Sequence, residues 1–143
     1  MSESADTLER FKALFNRLGP EDQGGLAEVY APDIQFQDPL TEVIGLEALK
    51  SYFSGAYENV LSCQFDYGPA MGDDHSIALP WVMHLRHRKL ASGREVRVEG
   101  MSHLRIRQDR IVYHRDYFDA GQMLYENVPV LGSAVRWLRR YAA

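Results

Sequence analysis

Two aspartates stand where the alternation of the chain would aim them at an interior. Ile34-Gln-Phe-Gln-Asp38 alternates with period two and is cut by Pro39, so Asp38 shares a strand face with Ile34 and Phe36. Further on, His114, Asp116 and Phe118 fall on one strand face, and Tyr113, Arg115 and Tyr117 on the other. A carboxylate in an apolar cavity loses water and becomes a better proton acceptor, so the chemistry open to such a pair is general acid–base catalysis. Each aspartate also has a structural reading. Asp38-Pro39 could be a turn whose carboxylate caps backbone amides, and Asp116 could pair with a neighbouring arginine on a solvated edge.

Other polar residues can be ranked in the same way. Val96, Val98, Gly100, Ser102, Leu104 and Ile106 form one face of a strand, which puts Ser102 inside and His103 outside. Serine offers a single O–H. Ser102, His114 and Asp116 can be written as a nucleophilic triad, but no nucleophile elbow accompanies them. His84 and Arg86 would supply a cationic pair if their face were buried; Ile77, Leu79, Trp81, Met83 and Leu85 make the opposite face the apolar one. The five histidines lack metal-ligand spacing, there is one cysteine, Cys63, and no glycine-rich phosphate loop or dinucleotide fingerprint occurs. No metal and no cofactor is expected.

The elements that must position these residues are readable from periodicity. Leu8, Phe11, Leu14, Phe15 and Leu18 make a first helix ended by Gly19-Pro20. Pro20 opens a short second helix carrying Leu26, Val29 and Tyr30. After Gly45, Leu46, Leu49, Phe53, Ala56 and Tyr57 recur at helical spacing. The period then changes to two, and 61–67, 76–88, 94–107 and 110–118 read as four strands of an antiparallel meander. The Gln108-Asp109 turn can be read as two residues or three. A helical turn is expected over 120–127 and an amphipathic helix over about 130–141.

Length and charge bound the rest. The 143 residues suit one domain, 1–143, and a net charge of −4 gives no attraction to nucleic acid. A lone cysteine and the absence of a basic, apolar start point to the cytoplasm. The longest run free of Asp, Glu, Lys and Arg, about ten residues, is too short to cross a bilayer.

The run Tyr30-Ala-Pro-Asp-Ile-Gln-Phe-Gln-Asp38-Pro39, the helix after Gly45 and Arg110-Ile-Val-Tyr-His-Arg-Asp-Tyr-Phe-Asp119 resemble the nuclear transport factor 2-like superfamily. That superfamily includes SnoaL-like polyketide cyclases, ketosteroid isomerases and limonene epoxide hydrolases. The resemblance covers the chain from the first helix to about Met123. It implies an α+β fold: a cone-shaped, curved antiparallel sheet wrapped around N-terminal helices and enclosing a hydrophobic cavity. It places Asp38 where ketosteroid isomerases keep their base, Asp116 where cyclases and epoxide hydrolases keep their catalytic aspartate, and Ser102 where a group helps hold an oxyanion. The isomerases' oxyanion tyrosine falls at Phe11, which has no hydroxyl.

The function expected is cofactor-free, aspartate-based proton abstraction from a hydrophobic carbonyl compound. One alternative is a non-catalytic hydrophobic-ligand or interaction module; another is epoxide hydrolysis with His84 as the acid. Phe15, Phe36, Phe53, Tyr57, Trp81, His114, Phe118 and Met123 are the expected ligand-binding residues. The resemblance also implies a homodimer through the sheet. The basic, aromatic helix over 130–141 offers contact with a lipid surface or packing on the domain.

Overall fold

The computed structural model describes residues 3–19, 24–124, 127 and 131–143. The first helix, α1 (Glu3–Phe15), buries Leu8, Phe11, Leu14 and Phe15 along one side, as its spacing requires. Pro20 lies outside the described residues. The second helix is a single turn, α2 (Leu26–Val29), and Tyr30 is not part of it; Tyr30 already pairs with Ile111 in the sheet and opens β1 (Tyr30–Gln37).

A short β2 (Glu42–Ile44) folds back on β1. Gly45, with φ of 95°, then turns the chain into α3 (Leu46–Tyr57), whose Leu49, Phe53 and Tyr57 are buried. Four longer strands follow: β3 (Val60–Tyr67), β5 (Ser76–His87), β6 (Val96–Arg107) and β7 (Arg110–Phe118). Between β3 and β5 lies a two-residue strand, β4 (Met71–Gly72), paired to β5. After β7 come one turn of helix, α4 (Ala120–Met123), and α5 (Leu131–Ala142). Val130 lies outside the described residues.

The sheet runs β2-β1-β7-β6-β5-β3. It is curved and unclosed, and it is mixed, not purely antiparallel. The meander β3-β5-β6-β7 is antiparallel as its alternation predicts, but β1 joins β7 in parallel, because nearly the whole chain runs between the two strands. The inner face of β5 and β6 carries the alternating apolar set, Ile77 to Leu85 and Val96 to Ile106, against α1 and α3.

Register on β7 has one irregularity. Arg107 pairs with Arg110 and Ile106 with Ile111, so Gln108 and Asp109 form a two-residue turn; Arg105 then pairs with Tyr113, which leaves Val112 as an extra residue. That bulge lets Ile111 and His114, three apart, both point inward. Beyond it the even-numbered residues His114, Asp116 and Phe118 keep the inner side.

Candidate functional site

Where the inner face of the sheet meets α3 and α4 there is a cavity of about 450 Å³. That is the usual size for a small-molecule site. Of the residues singled out in the sequence, Phe15, Phe36, Phe53, Tyr57, Trp81, Phe118 and Met123 line it, together with both aspartates, Asp38 and Asp116. His114 does not. Its side chain is 1% exposed, behind Asp116, and its ring is walled in by Phe11, Phe36 and Tyr30 at centroid distances of 5.3, 4.9 and 5.9 Å.

Asp116 sits where two arms of polar groups meet. Ser102 on the neighbouring strand donates its O–H to Oδ1 at 2.5 Å, and the Ser102 oxygen accepts the Trp81 indole N–H at 2.9 Å. From the other side, His114 Nε2 lies 2.6 Å from the same Oδ1, and His114 Nδ1 lies 2.8 Å from the Tyr30 hydroxyl. Burial first, and then the Asp116 charge, hold the Tyr30 phenol well above its usual range, so it remains a donor. Oδ2 of Asp116 accepts no hydrogen bond among the described residues, while the side chain keeps 21% of its exposure at the cavity wall.

The arrangement is not a nucleophilic triad. Such a triad needs the serine bonded to the histidine, whereas here Ser102 and His114 both serve the aspartate. Nor is Ser102 available to hold an oxyanion, since its one hydrogen is directed at Asp116.

Asp38 follows β1 directly. Its Oδ1 accepts the backbone N–H groups of Leu40 and Thr41 at 2.8 and 2.9 Å, which is the capped Asp-Pro turn. Its Oδ2 accepts the hydroxyl of Tyr52 from α3, also at the cavity. Burial, then the bond to Asp38, raises the Tyr52 phenol well above its ordinary range. The sequence reading missed Tyr52 because it flanks, without belonging to, the apolar stripe of α3.

Elsewhere on the wall, burial pushes the Cys63 thiol up to about 12, against a smaller opposite effect of its hydrogen bond with Tyr57. Burial, then nearby Lys89, lowers His87. The cavity thus carries two carboxylates, tyrosine hydroxyls and a broad aromatic surface.

His84 lies elsewhere. It occupies the other face of β5, with Nε2 2.9 Å from Asp66 and Nδ1 3.5 Å from Glu95, because the alternation that turns Met83 and Leu85 inward turns His84 out. His103 is on that outer face too, with Nε2 2.8 Å from the Ser76 hydroxyl. Among the described residues no group of three or more His, Cys, Asp or Glu is placed to hold a metal ion, and no helix is long and apolar enough to cross a membrane.

Comparison with known proteins supports the same architecture. A nuclear transport factor 2-like protein of unknown function from Burkholderia pseudomallei is 17% identical, with 87% of this chain and 96% of that one aligned at a TM-score of 0.74. A hypothetical protein with a ketosteroid isomerase-like fold from Catenulispora acidiphila, in complex with trimethylamine, is 16% identical over 87% and 94% of the two chains, TM-score 0.72. An LEH-like epoxide hydrolase of Mycobacterium tuberculosis is 16% identical over 85% and 86%, TM-score 0.69. These likenesses show the fold. No curated protein matches the chain in sequence. The SnoaL-like domain model matches residues 9–114, which include β1, the sheet through His114 and most of the cavity wall, and the chain therefore belongs to the SnoaL-like domain family.

Proposed function

We propose that the protein is an acid–base enzyme that removes a proton next to the carbonyl of a small or medium hydrophobic compound, with Asp116 as the base. One observation carries the reading: Asp116 lines an apolar cavity with Oδ1 fixed by two donors and Oδ2 left without one. Ser102 and His114 are positioning residues in this scheme. The substrate C–H proton passes to Oδ2, the electron pair moves to the carbonyl oxygen, and the enolate is held by the Tyr57 hydroxyl of the wall or by water, the Tyr52 hydrogen being directed at Asp38. Asp116 then returns the proton to carbon, or the enolate carbon attacks a second carbonyl of the same molecule, whose π pair moves onto its oxygen and takes the proton from Asp116. Asp38 supplies a second carboxylate, whose Oδ2 accepts the Tyr52 hydroxyl.

A non-catalytic ligand-binding role is the competing reading, favoured by Ser102 being committed to Asp116 and by Phe11 standing where the isomerases have a tyrosine. Epoxide hydrolysis loses the acid that the sequence suggested, since His84 is on the outer face.

The test is solvent-deuterium exchange at the α-carbon of a panel of hydrophobic ketones and β-keto esters, followed by proton NMR. Exchange catalysed by the protein should fall by roughly 100-fold or more in Asp116→Asn, with the melting curve and probe affinity retained. Equal exchange in the variant rules out Asp116 as the base. Probe binding without exchange in either protein points to the binding module.

A further inference from the structure

We infer that α5 docks on an anionic bilayer surface. Leu131, Ala134, Val135, Leu138 and Tyr141 recur at three- and four-residue spacing and Trp137 flanks them, while Ser133, Arg136, Arg139 and Arg140 occupy the opposite arc. This apolar arc is not folded onto the protein. Leu131, Trp137, Leu138 and Tyr141 are 46, 55, 55 and 78% exposed, and among the described residues only Gly132 of α5 is buried. Exposed apolar side chains grouped on one helix face mark a contact surface.

Charge and residue type select the occupant. The chain carries −4 overall, yet α5 holds three arginines and no acid, so the remainder carries −7 and α5 is a basic strip on an acidic body. Trp137 and Tyr141 stack at 5.4 Å along one edge of the arc, and these are the side chains that settle at the headgroup level of a membrane. A helix lying in that plane puts the apolar arc against the acyl boundary and lets the arginines reach phosphates.

The position of α5 gives the contact a use. Arg139 pairs with Asp119 at 3.3 Å, and Asp119 caps α4, whose Met123 lines the cavity. The membrane-facing helix therefore lies beside the cavity rim, where a hydrophobic compound leaving a bilayer would enter.

Sedimentation of the full chain with phosphatidylcholine vesicles, with and without phosphatidylglycerol, tests this. We expect binding to the anionic vesicles at least about tenfold tighter than to neutral ones, with a blue shift of Trp137 emission. The double variant Arg136→Gln/Arg140→Gln should lose roughly 25-fold, about fivefold per arginine. Leu138→Ser/Tyr141→Ser should lose binding to both. All four positions are exposed, and circular dichroism checks that the fold is kept. Asp116→Asn should bind as the wild type does, which separates this inference from the catalytic reading. Equal binding to neutral vesicles, or none to either kind, overturns the proposal. A dimer by light scattering that Leu138→Ser dissociates, without vesicle binding, assigns the face to a second copy.

Discussion

At Asp116 the donors and acceptors can be matched in one way. An ionised carboxylate only accepts, so the His114 nitrogen 2.6 Å from Oδ1 carries the hydrogen. A neutral ring then has a bare Nδ1, which takes the O–H of Tyr30, and every buried polar atom of this arm has a partner. An imidazolium would leave the Tyr30 hydrogen without an acceptor among the described residues. Tyr30→Phe keeps the ring packing but leaves Nδ1 buried and unsatisfied. We expect a loss of about 1–3 kcal/mol in urea unfolding, and nitrogen NMR of the wild type should show the Nε2–H tautomer. A wild-type ring protonated at Nδ1 would contradict the assignment.

At the scale of elements, the hairpin between β6 and β7 decides how the site is aimed and how α1 is held to the sheet. Gln108 and Asp109 both take left-handed backbone, at φ of 51° and 64°. Gln108 gains nothing visible from it, so Gln108→Gly should stabilise by a few tenths to about 1 kcal/mol, the relief of left-handed strain less glycine's entropy. Asp109 is different: its Oδ1 accepts from Thr7 and Arg10 of α1 at 2.7 and 2.8 Å, and these bonds, the arginine's first, hold its carboxyl below the usual range. Asp109→Gly should therefore lower the melting temperature at pH 7 despite the same backbone relief. The sign follows from linkage: a depressed folded pKa gives stability that is present above the unfolded value near 4 and is lost as pH falls through the folded one. The gap between wild type and Asp109→Gly should shrink in melts at pH 2–3. The hairpin also shows what the sequence can and cannot disclose. The inner set His114, Asp116, Phe118 is legible because β7 is regular beyond Val112, and Ser102 because β6 alternates throughout. The bulge itself has no residue signature, since Val112 is an ordinary strand residue. Tyr52 was hidden for a related reason: its partner Asp38 lies in a turn 14 residues away, and nothing local joins them. The parallel seating of β1 on β7 is likewise a long-range pairing, invisible to a window of a few residues. Asp38 shows both of its anticipated placements at once, one oxygen capping the turn while the residue lines the cavity.

For the molecule as a whole, the sheet and the cavity are one packing problem, and Gly100 is where they meet. Gly100 pairs with Trp81 on β5 and with Phe118 on β7, and the six-membered ring of the Trp81 indole lies over it. A Cβ built at position 100 would come within 2.3–2.7 Å of three ring carbons of Trp81. Its φ is not in the left-handed region, so the requirement for glycine here comes from space alone. The same ring forms part of the cavity wall and donates to Ser102, which in turn donates to Asp116. Gly100→Ala must therefore lift the indole and break the Trp81–Ser102 bond, because the sheet backbone cannot give way without losing register on both sides. We expect a cost of about 1–3 kcal/mol from overpacking, read as a lower urea midpoint, together with altered Trp81 fluorescence in the folded state. Trp81→Phe in the Gly100→Ala background should recover part of the stability, because the smaller ring clears the added methyl while its lost N–H is no longer needed to hold Ser102 against Asp116. Independent, additive losses from the two substitutions would show that the sheet and the Asp116 wall are not coupled through this contact.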